Sequence, residues 1–363
     1  MKAAVFHAPH QPLTIEDVEI AKPKRREVLL RTAYAGLCHS DLHFMEGLYP
    51  YPTPAVLGHE GAAVVEAVGE DVTYVKPGDH VITCLSVFCG ECEQCTTGHT
   101  VLCDNPEVKL LPGAARRLKW KGEVLNQAFN LSCFAEQMLV HEHAIVKINS
   151  EIPLDRAALV GCGVMTGVGA VFNTARVEAG ATVAVLGCGG IGLSAINGAA
   201  IAGAERIIAI DTNSSKLDIA KQMGATHTIN ASNVDPVAAV KDLTEGKGVP
   251  YSFEAIGLKA TAEQSFQMLR PGGTATIIGM IPFGTKIELH GADFLRERKI
   301  QGSSMGSNHF RVDMPRLLEL WRQGRLKLDH LISGQIKLAE INEGFAKLKS
   351  GAPVRNLINF GAA

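Results

Sequence analysis

Residues 1–160 alternate short apolar or β-branched runs with turn residues. Val28-Leu-Leu-Arg-Thr-Ala33, Gly61-Ala-Ala-Val-Val-Glu-Ala-Val68 and His80-Val-Ile-Thr83 predict strands, and Lys76-Pro-Gly-Asp79 predicts a turn. From about Glu178 the pattern changes. Thr182-Val-Ala-Val-Leu186, Arg206-Ile-Ile-Ala-Ile210, Tyr251-Ser-Phe-Glu-Ala255 and Thr274-Ala-Thr-Ile-Ile278 are apolar runs separated by helical stretches. Short buried strands alternating with helices indicate βαβ units and a parallel sheet. The apolar stretch from Ala181 to Ile201 is interrupted by glycines, so it predicts strand, turn and buried helix rather than a membrane span. Pro315–Arg322 and Leu338–Leu348 carry amphipathic helical spacing. No internal repeat or low-complexity segment interrupts the chain.

Length and composition narrow the picture. A chain of 363 residues implies about two domains. With 46% hydrophobic and 20% charged residues and a formal net charge of −2, it reads as globular. No basic stripe suggests nucleic acid or an anionic membrane. The opening MKAAVFHAPHQPLTIEDV has no apolar core with a cleavage site, so the expected location is cytoplasmic. Nine cysteines without a leader point to a reducing compartment. Cys84, Cys133 and Cys188 are expected to be buried, inert thiols. The other six have metal-site spacing.

Cys89-x2-Cys92-x2-Cys95-x7-Cys103 places four thiols close enough to saturate one tetrahedral zinc, which makes a structural site with no open position. A second, open set is spread over Gly36-Leu-Cys-His-Ser-Asp-Leu-His43, Gly58-His-Glu-Gly61 and Gly161-Cys-Gly163. Cys38, His59 and Cys162 supply the Cys₂His triad of a catalytic zinc, a ligand set known from alcohol dehydrogenase. Such a metal acts as a Lewis acid on an alcohol oxygen. Asp41 is the expected partner of the His59 ring. Ser40 and His43 form a candidate proton relay. Glu60, beside His59, is a further catalytic candidate with a structural role as its equal alternative.

Gly187-Cys-Gly-Gly-Ile-Gly192 follows an apolar run and precedes a predicted helix, as a dinucleotide loop requires. Gly187 permits the tight turn, Gly189 the approach of a pyrophosphate, and Gly192 the packing of helix on strand; Gly190 and Ile191 complete the loop. Asp211 follows Gly192 by 19 residues, placed to bond a ribose 2′-hydroxyl and to favour NAD over NADP. Lys216 is a candidate for the same ribose, with a solvated lysine as its alternative.

With these motifs in place, the chain resembles the zinc-dependent medium-chain alcohol dehydrogenases, from Ala33-Tyr-Ala-Gly-Leu-Cys-His-Ser-Asp41 to Val354-Arg-Asn-Leu-Ile-Asn-Phe360. The resemblance implies an α/β architecture. A GroES-like β-rich catalytic domain would span 1–163 and 305–363, and an NAD-binding Rossmann domain 164–304. It implies two zinc ions per chain and NAD, with the ligand sets given above. By the same matching Thr166 lies beside the nicotinamide, and His39 and Arg355 near the pyrophosphate. Cys162 argues against the polyol-dehydrogenase branch, which uses a carboxylate there. The long segment Asp104–Cys133 resembles the branch that includes the class III enzymes, the glutathione-dependent formaldehyde dehydrogenases. That branch is dimeric, so a homodimer is expected, with a tetramer as the alternative.

Those relatives carry two acids before Leu-Gly-His-Glu, to hold the glutathione amine. Here Gly47-Leu-Tyr-Pro-Tyr-Pro-Thr-Pro54 has none, although Arg117 falls near the basic residue of that site. Tyr49, Tyr51, Leu85, Phe129, Met280 and Met305 suggest an apolar pocket. The expectation is therefore NAD-dependent oxidation of primary, apolar or aromatic, alcohols to aldehydes, and the reverse. The alternatives are an S-(hydroxymethyl)glutathione dehydrogenase, a nicotinoprotein with tightly held NAD, and a silent zinc- and nucleotide-binding protein.

Overall fold

The computed structural model describes residues 1–110, 117–351 and 355–361. Val354 of the closing motif lies outside them. By its internal contacts the chain divides into two units. One comprises Met1–Cys162, His309–Glu319 and Ile332–Ala363; the other comprises Gly163–Asn308 and Leu320–Leu331.

The first unit is built on two sheets. The larger runs in the order Ile145–Lys147, His80–Thr83, Gly61–Val68, Glu27–Gly36, Arg355–Asn359 and Ile332–Ile336, with Gln137–His141 also paired to Glu27–Gly36. The alternation of buried and half-buried positions in Glu27–Gly36 turns one face to the core. The strand Arg355–Asn359 pairs antiparallel with it, setting Leu357 opposite Gly36. A residue 295 positions from Glu60 is thereby brought beside it. The core gathers Phe6, Leu30, Leu37, Leu57, Val87, Leu125 and Phe134, all nearly inaccessible to water.

The second unit holds a six-stranded, wholly parallel sheet. Its order is His227–Asn230, Arg206–Asp211, Thr182–Leu186, Val249–Glu254, Leu269–Ile277 and Lys299–Gly302. In sequence terms this is 3-2-1-4-5-6, and the order reverses between Thr182–Leu186 and Val249–Glu254. In such sheets ligands bind outside the carboxyl ends of the strands at the reversal. Helix boundaries follow local chemistry. The Asn213 side chain caps Ser214–Met223, and Asp235 caps Pro236–Leu243. Gly203, in the left-handed conformation, ends Gly190–Ala202. Leu320–Leu331 belongs to this unit through buried Asn197. Its Oδ1 accepts from Lys327 N at 2.9 Å, and its Nδ2 donates to the carbonyls of Met223 and Arg325.

The helical run Leu154–Thr174 is long and apolar enough to cross a membrane by length and composition. Its most apolar window is 83% buried within the protein, as for a core helix.

Candidate metal and cofactor sites

Three separate elements of the first unit present the open ligand set. Cys38 is the residue before the helix His39–Met45. His59 leads into the strand Gly61–Val68, and Cys162 sits in a π-helical turn, Val160–Val164. All three are buried, and their ligand atoms lie within 4.8 Å of one another. The two sulfurs are 4.0 Å apart, and His59 Nε2 is 3.1 Å from Cys162 Sγ. Tetrahedral zinc with Zn–S of about 2.3 Å sets sulfur–sulfur edges of roughly 3.8 Å, close to the spacing of these two thiols, so the donor set fits zinc in type and spacing.

Asp41 orients the imidazole. Its carboxylate lies 3.2 Å from His59 Nδ1 and also accepts from Gly58 N at 2.9 Å. Nε2 is thereby left facing the sulfurs. Burial alone would lower the His59 pKa, but the negative charges of Asp41 and Cys38 push it up to about 10. The hydrogen bond from Cys162 holds the Cys38 thiol well below its ordinary range, against the cost of burial.

Glu60 and Arg355 form a buried ion pair through Oε2 and Nη1. Arg355 Nη2 lies 3.8 Å from Cys38 Sγ. Arg355, expected at the pyrophosphate, is thus engaged with Glu60 and the Cys38 sulfur. Sequence spacing could not reveal this, because strand pairing alone joins the two. Gly36 makes room for the pair, since a Cβ there would stand 2.2 Å from Glu60 Oε1.

Ser40 Oγ lies 3.7 Å from Cys38 Sγ. His43 stands one helical turn beyond it on the same helix. The buried His43 Nδ1 has no hydrogen-bond partner among the described residues, and burial lowers the pKa of the ring. Ser40 and His43 do not bond each other directly, so a relay through both requires a bridging hydroxyl or water. His39 is exposed at the start of this helix.

Aromatic rings gather beside the ligands. The Phe129 ring lies 4.6 Å from that of His59, and Phe44 contacts Phe129, Tyr51 and Tyr49 edge-on. Tyr49 also stacks on His43 at 6.2 Å. Tyr49 and Phe129 each pack against Phe44. Phe44, at the centre, was missed by sequence reading, although its place one residue after His43 was the available signal. Leu85 is half-buried in this unit. Met280 and Met305 belong to the second unit, where Thr166 Oγ1 donates to Met305 Sδ at 3.4 Å. Arg117 corrects an expectation. It is buried, bonding Glu27 at 2.7 Å and Gln127 at 3.1 Å, so it is not available to hold a ligand carboxylate.

Cys89, Cys92, Cys95 and Cys103 converge as a second cluster, with sulfur pairs at 3.9 Å. The backbone N–H groups of Glu91 and Cys92 point at Cys89 Sγ and outweigh its burial, bringing that thiol down to about 6. Four converging thiols fit a closed zinc site. The three leftover cysteines are buried, and burial pushes Cys84 up to about 11 and Cys133 to about 12. Cys188 shifts in the same direction.

In the second unit, Gly187 turns the chain out of Thr182–Leu186 with φ +93°. A Cβ on Gly192 would stand 1.7 Å from the Gly187 carbonyl oxygen, which forces glycine there. A Cβ on Gly189 would meet nothing within 4 Å, leaving open space at the mouth of the helix Gly190–Ala202. That opening fits a pyrophosphate on helix N–H groups, and Ile191 and Gly190 stand half-buried in the first turn. Asp211 ends the neighbouring strand. Its two oxygens accept from Cys188 N at 2.8 Å and Asn213 N at 2.9 Å, tying the carboxylate to the loop. Burial and then Asp211 raise the Cys188 thiol, and the Lys216 ammonium offsets a part of that rise.

Comparison with known proteins decides the family. Residues 24–150 match the alcohol dehydrogenase GroES-like domain, and residues 190–322 match the zinc-binding dehydrogenase domain. The S-(hydroxymethyl)glutathione dehydrogenase of Haemophilus influenzae is 39% identical, over 99% of this chain and 97% of its own. This chain belongs to the zinc-binding alcohol dehydrogenase family. It is a nicotinamide- and zinc-dependent oxidoreductase related to class III, with a GroES-like and a Rossmann-type domain. The class-3 alcohol dehydrogenase of Zea mays is also 39% identical, over 98% and 95% of the two chains. Among solved structures, the benzyl alcohol dehydrogenase of Acinetobacter calcoaceticus superposes with a TM-score of 0.93 at 33% identity, covering 99% of both chains.

Proposed function

We propose that this chain interconverts a primary hydroxyl and an aldehyde. In this reading Cys38, His59 and Cys162 hold the zinc that supplies Lewis-acid chemistry, and Gly187–Gly192 with Asp211 hold NAD. The unit of Met1–Cys162, His309–Glu319 and Ile332–Ala363 is the catalytic domain, and Gly163–Asn308 with Leu320–Leu331 the cofactor domain, so the segment Leu320–Leu331 that the sequence placed with the catalytic domain goes with the cofactor domain. The observation that carries this reading is the convergence of two thiols and one oriented imidazole against a cluster of aromatic rings. Ser40 and His43 take the hydroxyl proton outward, and Glu60 with Arg355 sets the charge behind Cys38. The Cys89–Cys103 cluster holds a structural zinc. Small alcohols and aldehydes are the partners, in a cytoplasmic homodimer.

For the substrate, the names of the curated relatives favour S-(hydroxymethyl)glutathione over the free apolar alcohol that the sequence put first. The adduct is therefore the first substrate to test. A free apolar or aromatic alcohol remains the second reading, on a specific observation. Gly47–Pro54 carries no acid, and Arg117, which falls near the basic residue of that site, is spent on Glu27 and Gln127. Turnover of formaldehyde plus glutathione, set against hexanol and benzyl alcohol, decides between them. Higher catalytic efficiency with the adduct supports the first reading. Glutathione-independent turnover that climbs with alcohol chain length supports the second. No NAD reduction with any member of the panel overturns both.

A further inference from the structure

We infer that Glu254 is a positioning residue that fixes the roof of the cofactor loop and joins it to the loop carrying Met280. This rests on the reading that Gly187–Gly192 holds NAD. Glu254 is the last residue of Val249–Glu254, at the point where the sheet order reverses. Its side chain is fully buried. One carboxylate oxygen, Oε1, accepts from Gly257 N at 2.7 Å, Thr261 Oγ1 at 2.8 Å and Ile256 N at 2.9 Å. The other, Oε2, is buried without a hydrogen-bond partner among the described residues. It occupies the space left by Gly279, where a Cβ would stand 2.5 Å away.

The surrounding backbone is interlocked at the same point. The Glu254 carbonyl accepts from Ile278 N at 2.8 Å and Gly279 N at 3.0 Å. A Cβ on Gly257 would stand 2.6 Å from the Met280 carbonyl oxygen, and one on Gly279 would stand 2.2 Å from Gly257 N. On the other side, Ala255 N donates to Leu186 O at 2.9 Å. Ile256 lies over the glycine turn, with Cγ1 2.5 Å from where a Gly187 side chain would begin. Ile256 is apolar yet 41% exposed.

Burying a carboxylate on hydrogen bonds alone is costly, and a well-packed apolar residue would fill the space at less cost. What the carboxylate adds is direction. Three charge-assisted bonds to one oxygen allow the segment 255–261 a single arrangement. That arrangement holds Ile256 over the glycine turn and Gly257 against Met280.

The test uses the full-length, zinc-loaded protein. Glu254→Ala should raise the NAD dissociation constant by about tenfold or more, since each lost bond to a charged group is substantial. Glu254→Gln, which keeps an acceptor for the three donors, should recover part of the loss. Ser252→Ala is the structural control. It removes a buried bond to Ser265 O from the same strand and should lower the melting temperature while leaving NAD affinity unchanged. Glu254→Ala that folds and binds NAD within about twofold of the parent would overturn the inference. So would parallel loss of affinity in Ser252→Ala. If Glu254→Ala does not fold, amide exchange in the cofactor-free parent decides: slow exchange at Ile256 and Gly257 supports the inference, and fast exchange overturns it. Asp211→Gly separates the two levels. If it leaves the NAD-to-NADP preference unchanged, the cofactor reading fails; if it relaxes the preference while Glu254→Ala has no effect, only the role of Glu254 fails.

Discussion

Asp41 would act on a metal held at the open site through His59, without being a ligand itself. Its carboxylate aligns His59 through Nδ1 and is itself held by Gly58 N, so the ligand nitrogen has one orientation. Asp41→Asn should weaken zinc binding at the open site by about 10–100-fold. Chelator competition measures this, and unchanged affinity would deny Asp41 the orienting role. Ser40 is tested by rate. Ser40→Ala should slow turnover by roughly 10²–10⁴-fold when chemistry limits the rate, as loss of a general acid–base group does. An unchanged rate would exclude the relay. At this scale the convergence of Cys38, His59 and Cys162 was legible because thiol and imidazole spacing carries their chemistry. Asp41 was legible by its nearness to Cys38 in the chain. The Arg355 contact was not, because it depends on a strand pairing across almost the whole sequence. The engagement of Arg117 was also hidden, since only folding brings Glu27 and Gln127 to it.

The strands were the clearest elements. Gly61–Val68, His80–Thr83 and Thr182–Leu186 fall where the apolar runs stand, because each is buried over several consecutive residues and reads as a short unbroken apolar run. The helical run from Leu154 gave no such signal. It is buried on nearly all sides, and its glycines at 161, 163, 167 and 169 erase any polar face. The π-helical turn that presents Cys162 has no sequence signature. The thiol loop was legible as a unit, and its stability is open to test. Cys95→Ser leaves three donors for a closed tetrahedral ion, and structural zinc contributes folding free energy. The variant should lose about half of the bound zinc and melt earlier. Metal analysis with a thermal scan checks both, and an intact melting temperature would remove the structural assignment.

For the whole molecule, parallel strands and a dinucleotide loop were readable, but the 3-2-1-4-5-6 order was not, because one sequence records no long-range pairing. A half-buried cluster of two arginines and two histidines around Glu142 was equally hidden, and it bears on the response to acid. Arg26 bonds Glu142 at 2.8 Å and approaches His143 Nε2 at 2.9 Å. Arg311 donates to the carbonyls of Glu142 and Ile145. His141 Nδ1 accepts from His143 N at 3.0 Å, and His143 Nδ1 faces Phe88 O at 2.7 Å. Burial, then the neighbouring His143 and arginines, lowers His141 to about 3, and burial also lowers His143. In the unfolded chain a histidine takes up its proton near about pH 6.5. The unfolded state therefore binds more protons than the folded one between that value and the depressed folded value. Stability attributable to His141 is fully present above about pH 6.5 and falls continuously as the pH drops towards 3. His141→Asn keeps a side-chain acceptor but removes the titrating ring. Its urea stability should decline less steeply than the parent's between about pH 6.5 and 4.5, a window above most carboxylate titration. Parallel curves for parent and variant across that window would show that His141 is not held neutral in the fold.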